Sequence, residues 1–339
     1  MSKARDIADL GAVTSRLGIV GASDGALSNR NLIINGAMQV AQRGTSGSGV
    51  GPAGYVSLDR WRISIDTSST VYLSQLAFAA GHSDVDRDLE YYAKFDWLGT
   101  GTAQTKTVSQ RIEGVSSLNG QQVTISFYGR TELADDVIVK LKQNFGSGGS
   151  TEVTTSSSTI DLTASWAKYT VTLTLPSISG KTVGASSYLE LEFSFGPATA
   201  NSYFEFTGVQ LEVGDTATPF EHRSYGDELA RCQRYYWRVA PSESDQVMLG
   251  NGYFWGTTNF RPFVPFPVTM RALPTVSANG LEVLYKTSVD ADVTLGSSLD
   301  EGLNGIGLNI SNISGTIGEA GIARVGEGSG DYFAVDAEL

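Results

Sequence analysis

At 339 residues with 41% hydrophobic content, the chain is long enough to bury two cores. Its net charge of −12 argues against nucleic acid as a partner, because phosphate binding needs clustered Lys and Arg. The single cysteine, Cys232, excludes an intrachain disulfide; the absence of a long apolar run or a signal peptide predicts cytoplasmic folding and no membrane insertion.

In residues 1–30, Ile7, Leu10, Val13, Leu17 and Val20 form a coiled-coil-like apolar stripe. Asp6 and Asp9 lie early and Arg16 late, as a helix dipole prefers. The pattern predicts a short N-terminal helix, too short to persist alone, that trimerises or docks on a larger assembly. A frayed arm is the alternative. NLIINGAMQVAQRGTSGSGVGPAG then predicts a short strand, a second apolar run and a Gly/Ser-rich loop. About nine strand-like runs follow, from WRISI to YFEFTGVQLE, most of them alternating apolar and polar residues. This spacing predicts an antiparallel jelly-roll β-sandwich over residues 31–222.

Ser224 is a candidate N-cap, with Asp227 and Glu228 in the first turn of a short helix to about Cys232. The helix leads into QRYYWRVA, making residues 223–240 a helix-strand junction. Residues 241–339 read as a smaller C-terminal β domain, the candidate distal tip. Pro262, Pro265, Pro267 and Pro274 argue against a central strand across their segment. From Ala272 to Leu339 ten acids face only Lys286 and Arg324, an excess that predicts a solvated tip or a divalent-cation site. The fold class is therefore mainly β: a jelly-roll sandwich, a smaller C-terminal β domain and a short N-terminal helix.

NLIINGAMQVAQRG followed by SLDRWRIS, with VTISFYGR, WAKYTVTLTLPS and FEFTGVQLEVGDTATPFEHRSYGDELARCQRYYWR, resembles bacteriophage tail-fibre and tail-tip proteins. Those proteins carry a carbohydrate-binding-module-like jelly roll, and the resemblance covers residues 31 to about 240. FPVTMRALPTVSA resembles the start of a C-terminal domain that follows such junctions, and ARDIADLGAVTSRL resembles an attachment or trimerisation segment. The resemblance implies a homotrimeric, non-enzymatic virion protein made in the host cytoplasm. Its N-terminal segment would join other tail or baseplate proteins, and its body would meet host surface polysaccharide. Two alternatives stay open. One is a head-fibre or capsid/baseplate decoration protein that uses the jelly roll as a spacer. The other is a polysaccharide depolymerase tailspike, against which the lack of β-helix repeats counts.

His82 and His222 are the only histidines, and their separation in sequence gives no ground for a His-based metal site or a Ser-His-Asp triad. His222 is expected to pack at the junction and Cys232 in a core. No cofactor and no catalytic residue is expected. Structural calcium is considered at the loop acids Asp84, Asp86, Asp88 and Glu90, or near Asp59, although the spacing is not that of an EF-hand. Sugar stacking needs exposed aromatic faces with polar neighbours, and the candidates are Tyr253, Phe254 and Trp255 beside Asn251, with Tyr285. Trp61, Trp97 and Trp166 are expected to be buried. Tyr235, Tyr236 and Trp237 cannot share one face, so with Arg238 they are candidates for a subunit interface. Arg231, Arg234 and Arg238 would then meet the acid-rich region of a neighbour.

Overall fold

Alternating apolar and polar residues set the strands of the N-terminal two thirds. The computed structural model describes residues 29–50, 54–65, 70–97, 105–132, 136–155, 158–196, 202–241, 246–286, 288–290, 293–296, 300–328 and 330–339. The stripe of Ile7, Leu10, Val13 and Leu17 therefore lies outside the described residues. The strands are β1 (Ser46–Val50), β2 (Arg62–Ile65), β3 (Thr70–Ala77), β4 (Tyr91–Trp97), β5 (Lys106–Glu113) and β6 (Gln122–Thr131). They continue with β7 (Asp136–Asn144), β8 (Val153–Thr154), β9 (Ser158–Asp161), β10 (Ala167–Thr174), β11 (Tyr188–Phe195) and β12 (Ser202–Val213).

Two antiparallel sheets result, one ordered β1-β3-β4-β12-β6-β10 and one β2-β5-β11-β7, with β8 and β9 both on β7. Val123, Ile125 and Phe127 on β6 point into the space between the sheets, where Trp61 meets Phe206 edge-on at 5.1 Å. This is the jelly-roll β-sandwich expected from the strand pattern. β12 changes phase midway: Phe204 and Phe206 face the core first, then Val209 and Leu211 after an irregularity between Thr207 and Gln210. Gly208 makes the step at φ +60°, and a Cβ there would come 2.9 Å from Leu89 Cδ1.

Two local expectations fail here. NLIIN is not a strand, because Asn31 and Asn35 use their side chains on backbone groups instead. Asn31 Oδ1 accepts from the N–H of Ile33 and of Leu211, and Asn35 Nδ2 donates to the carbonyls of Val40 and Asp59. The Gly/Ser-rich stretch is not only loop, since Ser46–Val50 pairs with β3 as an edge strand. Gly47 permits this, because a Cβ there would lie 2.3 Å from the Val56 carbonyl oxygen.

Helix α1 (Tyr225–Gln233) follows, capped as expected by Ser224, whose side chain accepts from the Asp227 N–H. The remaining strands are β13 (Tyr236–Val239), β14 (Val247–Gly256), β15 (Asn259–Pro265), β16 (Thr275–Asn279), β17 (Leu281–Tyr285) and β18 (Ser288–Asp290). After them come β19 (Thr294–Leu295), β20 (Asp300–Glu301), β21 (Gly305–Gly307), β22 (Ile310–Ser311), β23 (Ala320–Val325) and β24 (Tyr332–Asp336). One sheet is β13-β24-β16. The larger runs β18-β17-β23-β14-β15-β21-β20, with β22 on β15 and β19. They enclose a second core that includes Phe254, Phe260, Val264, Met270, Val283, Val325 and Phe333.

β15 is central despite Pro262, contrary to the sequence expectation. Its outer edge is shared by β22, which pairs at Phe260, and β21, which pairs from Phe263 onwards, so the missing N–H falls near the gap between them. The Pro262 carbonyl still accepts from Leu308 N–H at 3.0 Å, and the residue opposite is Gly252.

Buried charge joins the two cores. Arg60, fully buried at φ +70°, pairs with Glu338 and has its guanidinium 3.5 Å from the Tyr235 ring centre. Arg43 lies 3.4 Å over the Tyr236 ring and reaches Asp336 at 3.0 Å. Gln42 donates to the Asp59 carboxylate from its backbone and its side chain, and also to the Tyr236 carbonyl. Trp237 packs on Phe266 and Phe333 in the second core, and Arg238 donates to the Arg43 carbonyl and lies over Tyr332.

The adjacent aromatics thus find partners on both sides within one chain: Tyr235 and Tyr236 are buried, while Trp237 and Arg238 stay half-buried on the edge strand β13. Of the neighbouring arginines, Arg234 binds Glu113 and Arg231 binds Asp227 within the same chain. Asp59 is not placed to hold calcium at a surface. Burial pushes its carboxyl up to about 6, against the Gln42 hydrogen bonds and the Arg43 charge. Burial also raises Glu338, against Arg60 and Arg43, and raises the Cys232 thiol.

Replacing Glu338 with Ala leaves the Arg60 guanidinium buried without its carboxylate, and should lower unfolding free energy by about 3–5 kcal/mol in urea titrations. A loss below about 1 kcal/mol contradicts the pairing. Asp59 yields a pH prediction. Its raised folded value means that the native state binds the proton more tightly than the unfolded chain, so stability rises as pH falls from 7 towards 4. The contribution is on the order of 3 kcal/mol, and Asp59→Asn should flatten the slope over that window. An unchanged slope contradicts it.

Candidate functional site

From Asn251 onwards β14 alternates, with Phe254 inward and Asn251, Tyr253 and Trp255 on the outer face; Leu249 is also buried because the ladder with β23 shifts register between Met248 and Gly250. Tyr253 is 44% exposed and Trp255 56%, high values for such large rings. Their ring centres are 6.3 Å apart at 60°. Register with β15 sets Arg261 directly across from Tyr253, and Phe263, 55% exposed, one step along the same face. The Arg261 guanidinium sits 4.2 Å over the Trp255 ring. Beside this row an open depression of about 500 Å³ is lined by residues that include Asn251, Leu284, Lys286, Ala320 and Ile322.

Asn251, Tyr253 and Trp255 are therefore brought together, Phe254 is buried in the core, and Tyr285 lines the depression with Asn251 as a half-buried ring. It packs edge-on against Phe254 at 5.0 Å and donates its hydroxyl to the Ser314 carbonyl. Sequence reasoning missed Arg261 and Phe263. The alternation of NFRPFVP marks both as outward residues, but the two prolines argued against reading it as a paired strand.

Charge on the C-terminal module is mostly matched. Lys286 pairs with Glu319 at 2.8 Å, and that hydrogen bond holds the Glu319 carboxyl below its ordinary range. Arg324 pairs with Glu282 at 2.7 Å, and Arg271 donates to the carbonyls of Ala337 and Glu338. Among the described residues Arg261 has no acidic partner, and its Nε is shielded from water without a hydrogen bond.

A second aromatic patch lies on the outer side of the jelly roll. Trp61 and Trp97 are buried as expected, but Trp166 is only half-buried, 5.3 Å from Phe78 and 5.4 Å from Tyr92. Here the rings pack on each other, and Arg130, 5.2 Å over Trp166, is bound to Glu205. Of the loop acids considered for calcium, Asp86 and Asp88 come together with His222, their ligand atoms within 4.8 Å of one another. All three are exposed, and exposed acids gather in this way without any ion. His222 thus lies against the 84–90 loop, not packed inside the junction.

No family model matches the chain, and no curated protein matches it. Among solved structures, a family 61 carbohydrate-binding module in complex with β-1,4-galactotriose is similar at 15% identity and TM-score 0.33, over 55% of this chain and 100% of that one. A family 11 carbohydrate-binding module from Clostridium thermocellum, in complex with a mixed-linked tetrasaccharide, is similar at 11% identity and TM-score 0.32, over 51% and 98%. The enzymatically active domain of tailspike protein 4 from bacteriophage CBA120 is similar at 12% identity and TM-score 0.36, over 55% of this chain but 22% of that one.

Proposed function

We propose that this chain is a non-enzymatic virion protein, a tail-fibre or tail-tip subunit that adsorbs to host surface glycan through its C-terminal sheet face. The observation that carries the binding part is the outward row of Tyr253 and Trp255 on β14, with Asn251 in line. A CH-rich sugar face stacks on such rings while an amide bonds the hydroxyls. Tyr253 is paired on both sides, to Arg261 and Ala320, and Trp255 follows at the irregularity between Phe254 and Gly256, so Tyr253 at least loses little freedom when a sugar docks. The resemblance of residues 31–240 to tail-fibre and tail-tip proteins supports the virion part. Single contacts on an open face are weak, and a homotrimer displayed in several copies multiplies them.

The binder reading over the hydrolytic one is supported by the position of the raised carboxyls. Among the described residues, the acids that burial raises are Asp59 and Glu338, and both are locked in the seam between the two cores. A general acid would need to stand in a groove beside a sugar.

On a glycan array the full chain should bind, and Trp255→Ala or Tyr253→Ala should weaken binding about ten-fold without moving the unfolding midpoint. Retained binding in both variants would refute the face assignment. Light-scattering mass should be three times the 36.0 kDa chain mass. A clean monomer at micromolar concentration sinks the trimer.

A further inference from the structure

Residues 241–339 hold four cations, Arg261, Arg271, Lys286 and Arg324, within an otherwise acidic module. Three are engaged, by Glu319, by Glu282 or by the carbonyls of residues 337 and 338. Arg261 is the exception among the described residues, and it is the cation that stands on the aromatic row. Building on the glycan reading of this face, we propose that it selects anionic saccharides, with Arg261 holding a sugar carboxylate or phosphate while Trp255 and Tyr253 stack the ring.

Three features argue for this. The Arg261 guanidinium lies 4.2 Å from the Trp255 ring centre, so the cation stands on the aromatic row, and a guanidinium can take a carboxylate or phosphate through two N–H groups at once. Among the described residues no acid pairs with Arg261 and its Nε makes no hydrogen bond, so an anion meeting its terminal nitrogens would supply the charge that the protein does not. Tyr253 lies directly across the ladder from Arg261, so a sugar on the rings has its substituents within reach of the cation. The surrounding acids add selectivity. From Ala272 onwards the module carries ten acids against two bases, and even with Asp336 and Glu338 paired to Arg43 and Arg60 in the seam the excess is negative, which disfavours polyanions that gain nothing from stacking.

The test uses the full chain and glycan pairs that differ only in charge, such as polygalacturonate and its methyl ester, with phosphomannan and polyglutamate as further arms. Wild type should prefer the acidic polymer over its ester about ten-fold and should ignore polyglutamate. Arg261→Gln should bring acid and ester within about two-fold of each other while ester binding persists, and Arg261→Lys should keep part of the preference. Phosphomannan bound more tightly than polygalacturonate assigns the anion as phosphate, and the reverse assigns it as carboxylate; both support the proposal. Equal binding of acid and ester by wild type overturns the anion selectivity but leaves the glycan reading standing. An unchanged preference in Arg261→Gln overturns the role of Arg261. Polyglutamate bound as tightly overturns the sugar requirement, and binding of no glycan overturns both readings.

Discussion

Arg60 loses its water entirely, and a guanidinium in that position is tolerable only because Glu338 reaches it from 278 residues further along the chain. Tyr235 covers the pair from one side, and Asp59, Gln42 and Arg43 complete a buried polar cluster next to it. The left-handed backbone at Arg60 is a local strain that this surrounding structure over-determines. Such a network specifies geometry, because any slip between the modules strands several charges at once. The final segment is held further by Arg271 on the Ala337 carbonyl and by Arg111 on the Leu339 carbonyl.

That seam determines what the C-terminal face can be. β24 leads directly into Glu338 and is also the central strand of the small sheet, between β13 and β16. The second core therefore closes on the strand that the seam anchors. β14 and β15 belong to the larger sheet over the same core, so Tyr253, Trp255 and Arg261 are presented by a paired, backed surface and not by a loop. Rigid presentation suits adsorption through shallow contacts, where the entropy of ordering a flexible site would consume most of a weak interaction.

The fold was largely legible because side-chain alternation is a direct record of strand faces. The helix was legible because Ser224 and the acids after it satisfy the first N–H groups. Less of the site was. Tyr253 and Trp255 were visible as aromatics, but Arg261 and Phe263 were hidden by prolines whose cost depends on which neighbouring strand fills the ladder. The same limit applies to Tyr235, Tyr236 and Trp237. Adjacent residues on a strand do point to opposite faces, but both faces of β13 meet the same chain, a fact that depends on contacts almost 200 residues away. The motif NGAMQVAQRG with DRW turned out to be the seam itself: Asn35, Gln42, Arg43, Asp59 and Arg60 are spent on joining modules. Its role here is architectural, and nothing in its local pattern distinguishes that from a cation site.

The chain contains five tryptophans, which give five well-separated reporters in the regions at issue. Trp61 and Trp97 report the first core, Trp237 the second, Trp166 the jelly-roll patch and Trp255 the C-terminal face. The most direct measurement is an NMR titration of indole-labelled protein with a bound glycan. The account predicts that the Trp255 indole signal shifts and saturates while Trp166 stays fixed. A saturating shift at Trp166 with Trp255 unmoved would contradict it and move the binding face to the jelly roll.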